Sequence, residues 1–139
     1  MIKPLTIAEV EQIAFDIAKK LMTWDEPIPD FDTRFPNILE SCLVTPFATY
    51  ERKNLYKAID GKAAILFYLM VKNHPFQNGN KRIAIMTLFC FLAKNNKWLS
   101  VRPEPLYRAA LWVAESPPEF KDQVVDAFKG LIKKYIVKK

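Results

Sequence analysis

The chain has 139 residues, 50% of them hydrophobic and 26% charged, with a net charge of +6. That balance excludes a disordered chain and a membrane-inserted one, and the length suits a single domain, residues 1–139, with a core of its own. No apolar run reaches the length of a membrane span, and Lys3 and Pro4 precede an amphipathic pattern rather than a signal peptide's apolar centre, so a cytoplasmic protein is expected.

Thr6 and Glu9 form the pattern of a capping box, with Leu5 and Val10 as its hydrophobic staple, so a helix is predicted to start there. Ile7, Val10, Ile13, Ala14, Ile17, Ala18 and Leu21 recur at helical spacing and predict one buried stripe. Pro27 and Pro29 mark Asp25 to Arg34 as a loop. Pro36 then opens a short helix through Val44 that turns Ile38, Leu39 and Cys42 inward and breaks at Pro46. Thr45 to Asn54, with Phe47, Tyr50, Glu51 and Arg52, lacks helical period and predicts an exposed loop or small hairpin.

Leu55 to Asn73 is apolar almost all round and predicts a buried helix. Asp60 and Gly61 are poor residues for its interior, which allows a start only after them, with Asp60 as the cap. A second buried helix is predicted from about Asn80 to Asn95. Trp98 to Val101 reads as a short extended piece punctuated by Pro103 and Pro105. Leu106 to Glu115 fits a helix with Ala109, Ala110, Trp112 and Val113 partly buried, and Phe120 to Val137 a last amphipathic one carrying Val124, Val125, Phe128, Leu131, Ile132 and Tyr135 on one face. No segment alternates over any length, so the fold class read from pattern is all-α with one small β-hairpin. Cys42 and Cys90 read as reduced core thiols, and the Lys133, Lys134, Lys138 and Lys139 cluster as a solvated basic helix end rather than a nucleic-acid patch.

Between the two buried helices stands His-Pro-Phe-Gln-Asn-Gly-Asn-Lys-Arg, residues 74–82, which holds the chain's single histidine. Gly79 frees the backbone to turn into a helix whose first N–H groups and dipole favour an anion, and Lys81 and Arg82 add fixed positive charge. Imidazole is the side chain suited to take a proton near neutral pH, so His74 is the candidate general base. Phe76 reads as an apolar anchor of the loop, and Pro75 predicts extended geometry for His74.

This stretch resembles the signature of the Fic/Doc proteins: His-Pro-Phe, any residue, Asp or Glu, Gly-Asn, Gly or Lys, Arg. Eight of its nine positions agree, and Lys62-Ala63-Ala64 with Ile65 to Asn73 and Ile83 to Asn96 resemble the helices on either side. The resemblance implies a helical bundle with two buried central helices flanking the motif loop. It further implies a transferase that uses ATP to modify a Ser, Thr or Tyr hydroxyl of a target protein. His74 would deprotonate that hydroxyl. Gly79, Asn80, Lys81 and Arg82 would hold the phosphates, and the segment with Phe47 and Tyr50 would be a flap docking the target chain.

The departure is Asn78, where the family usually has an acidic residue that helps bind Mg²⁺; a neutral amide oxygen implies weakened metal affinity. Three outcomes stay open: Mg²⁺ held mainly by phosphates and water, a reaction with altered metal need, or a catalytically weak or inactive nucleotide- or partner-binding module. Lys81, in place of the family's alternative Gly, resembles Doc-like members and favours transfer of the terminal phosphoryl group, as a kinase, over transfer of AMP. No family-type autoinhibitory helix is present in the sequence, so a separate antitoxin-like protein is an expected partner, with a toxin–antitoxin pair as the setting.

Overall fold

The computed structural model describes residues 1–139. It is mostly helical, as the pattern predicted, with six helices, and it has two small strand pairs where one hairpin was expected. Helix α1 runs through three continuous segments, Ile7–Glu9, a π-helical Val10–Phe15, and Asp16–Leu21. Its capping box forms, Glu9 N–H donating to Thr6 Oγ1 at 3.1 Å and Thr6 N–H to Glu9 Oε1 at 2.9 Å. Lys94 then adds an ion pair to Glu9 at 2.7 Å. The predicted stripe is only partly buried. The wider π turn brings Phe15 into the core and leaves Ile13 at 45% exposure, and Leu21 is exposed at the helix end.

Helix α2 is Pro36–Val44, with proline in its first turn where no N–H is missed. Leu39 and Cys42 are buried, but Ile38 faces solvent because the short helix rests on the core along one narrow side. After the turn Thr45–Phe47 comes a hairpin, β1 (Thr49–Tyr50) paired antiparallel with β2 (Lys53–Asn54).

Helices α3 (Ala58–Lys72) and α4 (Asn80–Lys94) are the centre of the molecule. Each side chain buried there, such as Phe67, Leu66, Ile83 or Leu92, is worth about 1.5–3 kcal/mol. Asp60 does not cap α3. The helix starts earlier, after Lys57, and Asp60 and Gly61 lie in its first turn, where Asp60 Oδ1 accepts the Gly61 N–H and suits the positive dipole end. Helix α5 is Pro103–Glu115, so Pro103 and Pro105 sit inside its first turn rather than before it. Trp112 is half exposed. Helix α6, Lys121–Tyr135, stacks Phe128 on Phe67 with ring centroids 4.3 Å apart. It stops short of Val137 because Ile136–Lys138 forms β4, paired antiparallel with β3 (Lys97–Leu99), and Tyr135 is left exposed at the junction. This second strand pair has no alternation to announce it. Both cysteines are free, and burial pushes the thiol pKa up to about 12 for Cys42 and about 11 for Cys90, so neither is a nucleophile at neutral pH.

Candidate functional site

The motif is the loop between the end of α3 and the start of α4. Asn73 closes α3 in helical geometry and His74 follows with φ of +50°. Extended geometry, predicted from Pro75, is therefore wrong. The chain reverses direction just after the helix ends, and the residue past a helix C-cap commonly turns left-handed to do so. A side chain other than glycine held there stores about 1–3 kcal/mol, which the surrounding loop must offset. The imidazole stands exposed at the rim of the cavity described below.

Three sets of contacts hold the loop. Phe76, 3% exposed, meets Phe15 at 5.6 Å and Phe31 at 5.9 Å between ring centroids, so α1 and the following loop both grip it. Phe35 N–H donates to Pro75 O at 2.8 Å. Asn80, first residue of α4, bonds Phe76 in both directions: Phe76 N–H donates to Asn80 Oδ1 at 2.9 Å, and Asn80 Nδ2 donates to Phe76 O at 2.8 Å. The Asn80 amide, expected to point at phosphate, is occupied in shaping the loop.

The segment from Met22 to Phe31 lies across the motif as a strap. Arg82, only 2% exposed, donates from Nη1 to Met22 O at 2.9 Å and from Nη2 to Glu26 O at 2.5 Å. Two of its five N–H groups are thereby used, and its partners are neutral carbonyls, so no carboxylate is bonded to this buried charge. Asn78 Oδ1 accepts the Gly79 N–H at 2.9 Å, while its Nδ2 donates to Glu26 Oε2 at 3.2 Å and to Pro27 O at 3.4 Å. Ile28 presses on Gly79, whose φ is +78°; a Cβ there would come within 2.5 Å of Ile28 Cγ1. Glycine is required at this position by both conformation and space.

Between loop, strap and α5 is a cavity of about 210 Å³ lined by polar groups, among them Asp25, His74, Asn78, Lys81, Arg82 and Tyr107. The uncapped N-terminus of α4 belongs to the same wall, with no acidic residue in its first turn. Lys81 takes part in none of the ion pairs. Asp25, itself left-handed with φ of +71°, accepts a long 3.5 Å bond from Tyr107 Oη. Burial and then the Asp25 carboxylate push the Tyr107 pKa up, with Arg82 opposing, so this phenol stays protonated at neutral pH. Two cations and free helix N–H groups stand against one carboxylate in this cavity, a balance of charge that favours an anion.

His74, Asn78, Gly79, Asn80, Lys81 and Arg82 thus meet at one cavity, and Phe76 lies beneath them. Phe47 and Tyr50 do not line it. Phe47 packs inward, 6.2 Å from the Phe91 ring and 5.0 Å from Lys62 Nζ, while Tyr50 is 68% exposed on β1. Sequence reasoning missed Asp25, Glu26 and Tyr107, which come from a loop and a helix far from the motif with no spacing signal; Pro27 and Pro29 marked only that Asp25 to Arg34 is a loop.

A sequence model of the Fic/DOC family matches residues 4–92, a span that begins before α1 and contains the strap, the hairpin and the whole motif. No curated protein and no solved structure matches the chain significantly. None of the helices is long and apolar enough to cross a membrane. With well over half of its residues inside that match, the chain belongs to the Fic/DOC family, whose fold serves the modification of proteins.

Proposed function

We propose that the chain transfers the terminal phosphoryl group of ATP to a Ser, Thr or Tyr hydroxyl of a target protein. The observation that carries this reading is Arg82: a buried cation bonded only to carbonyls, on the wall of the cavity that also holds His74 and the free end of α4. A nucleotide phosphate supplies the missing counter-charge. The remaining N–H groups of Arg82, the first N–H groups of α4 and the Lys81 ammonium would bind phosphate oxygens and neutralise charge as it builds on them. His74, at the rim, takes the proton of the incoming hydroxyl. Phosphoryl transfer asks mainly for positioning and charge neutralisation, which such a set of donors and one base supplies.

Magnesium fits this site with a change of ligand. The Asn78 oxygen is taken by Gly79 N–H, whereas Asp25 brings a carboxylate to the cavity, and one carboxylate with phosphate oxygens and water is a common Mg²⁺ environment. Bound there, the ion would offset charge on the phosphates.

ATP labelled at the α- or the γ-phosphate, incubated with the chain and a bacterial extract, tests the reading. Protein label from the γ-position alone is expected, and it should vanish in His74→Ala while ATP binding persists. Label from the α-position would replace the kinase by an AMP transferase. A second reading, a weak or inactive nucleotide-binding module, is favoured by Asn78 being turned to Glu26; ATP-protected melting in the parent with no label from either position would establish it. Restraint by an antitoxin-like partner predicts that unrestrained expression slows bacterial growth, and normal growth at high soluble expression would count against it.

A further inference from the structure

Lys62 is a buried cation that the phosphate chemistry does not use. It lies in α3, 5% exposed, and takes part in none of the ion pairs. Burial pushes the pKa of its ammonium down. Nζ donates to Tyr56 O at 2.7 Å and to Pro46 O at 3.3 Å, and sits 5.0 Å from the centroid of the Phe47 ring. An apolar side chain of the same length would fill this place without desolvating a charge, so packing does not account for a lysine here. What an ammonium adds is three donors at one point, able to hold two separate chain segments together.

Those segments are the two ends of the hairpin. Pro46 comes before β1 and Tyr56 after β2. Phe47 and Tyr56 at its ends pack on the core, but the strands themselves are weakly held: each has two residues, all four exposed, and Glu51 and Arg52 at the tip have φ of +49° and +69° without being glycine. Only the Leu55 N–H, donating to Ala48 O at 3.1 Å, closes its base from within. Two-stranded hairpins of this size are marginal in water unless something else holds them. Helix α3, which carries Lys62, runs on to Lys72 over about 15 Å and delivers His74 just past its end. Anchor and base thus stand on one rigid rod.

We propose that Lys62 is a positioning residue that pins both ends of the β1–β2 hairpin to α3, so that a polypeptide docked along the hairpin is held at a fixed reach from His74. The docking half of this rests on the proposed protein-modifying activity; the pinning half does not.

The full chain, as Lys62→Met and Lys62→Arg, tests it by amide hydrogen exchange, ATP titration and label transfer from ATP into extract proteins. In Lys62→Met, exchange over residues 48–56 should rise about tenfold or more while α3 and α4 exchange as in the parent. ATP affinity should stay within about twofold, and the extract concentration giving half-maximal labelling should rise several-fold at an unchanged plateau. Lys62→Arg, which keeps several donors on a long stem, should recover most of both effects. If Lys62→Met does not fold, Lys62→Gln takes its place. Parent-like exchange over 48–56, a rise shared equally by the core helices, or a fallen plateau at unchanged half-saturation would overturn the proposal. A parent protein that labels nothing defeats the activity and the docking half together, and the exchange measurement then decides the pinning by itself.

Discussion

Asn80 and Phe76 exchange two hydrogen bonds, side-chain amide to backbone, at 2.9 and 2.8 Å. Asn80 thereby acts on the phosphate site through the shape of the loop. Asn80→Ala leaves a part-buried N–H and C=O of Phe76 without partners, and should cost about 2–3 kcal/mol of stability in the ligand-free protein. Asn80→Asp keeps the acceptor but faces a carboxylate to Phe76 O and should be no better. Thermal melting without nucleotide checks this: a melting point equal to the parent's, with ATP affinity alone reduced, would return Asn80 to the phosphate.

Gly79→Ala meets two obstacles, a left-handed backbone and the Ile28 side chain. The expected loss is about 2–4 kcal/mol, of which the backbone part is about 1–2. In an Ile28→Ala background only the backbone part should remain. Equal penalties in both backgrounds, measured by denaturant unfolding of the four proteins of the cycle, would mean that Ile28 yields freely.

Restoring the family's acidic residue has a consequence that the motif does not reveal. Asn78→Asp would replace the amide that bonds Glu26 by a second carboxylate 3.2 Å from the first. The strap should loosen and the protein lose up to about 1 kcal/mol, a small value because both groups are near solvent. Adding Glu26→Gln should return the stability, and in that double variant the magnesium concentration for half-maximal nucleotide binding should fall below the parent's. A single Asn78→Asp variant as stable as the parent would show that the clasp to Glu26 is absent in solution.

Glu9 reports on acid stability. Its hydrogen bond from Lys94, aided by those from Thr6, holds its pKa below the ordinary 4.5. The unfolded chain therefore binds the proton more readily, so stability from this group is complete above pH ~4.5 and lost as pH falls through the folded value. Lys94→Met should be less stable than the parent at pH 7 and converge with it toward pH 3. Melting curves over that range check the sign, and parallel pH profiles would rule the pair out.

Much of this molecule could be read in its sequence because its strongest signals are local. The capping box at Thr6, the proline opening α2 and the two all-apolar helices each rest on residues within a few positions of one another. The motif announced which side chains gather at the cavity. It could not announce what they bond to, since the partners of Arg82 and Asn78 lie on Met22, Glu26 and Pro27, more than fifty residues away. His74 turned left-handed because the end of α3 overrode the preference set by Pro75. The start of α3 at Ala58 falls between the two that the sequence allowed, Leu55 and the residue after Gly61, while the β3–β4 pair escaped for a similar reason, since pairing across about forty residues decided it.

The π-helical segment of α1 has a numerical meaning. A π turn holds one residue more than an α turn, so Val10 and Phe15, five apart, face the same way as residues four apart do elsewhere. The surplus residue should be one with nothing behind it, and Ile13, 45% exposed beside the exposed Glu11 and Gln12, fits. The helix can therefore be counted as an ordinary one with a single residue inserted. Removing Ile13 would let the turn relax to α geometry while Phe15 and Ala18 keep their phase relative to Val10, and with it the three-ring grip on the motif loop. Removing Asp16 or Ile17, in the α-helical stretch after Phe15, would instead rotate Ala18 and Met22 off the core and swing the strap away from Arg82. Two deletions of equal size, a few positions apart, should thus have opposite fates.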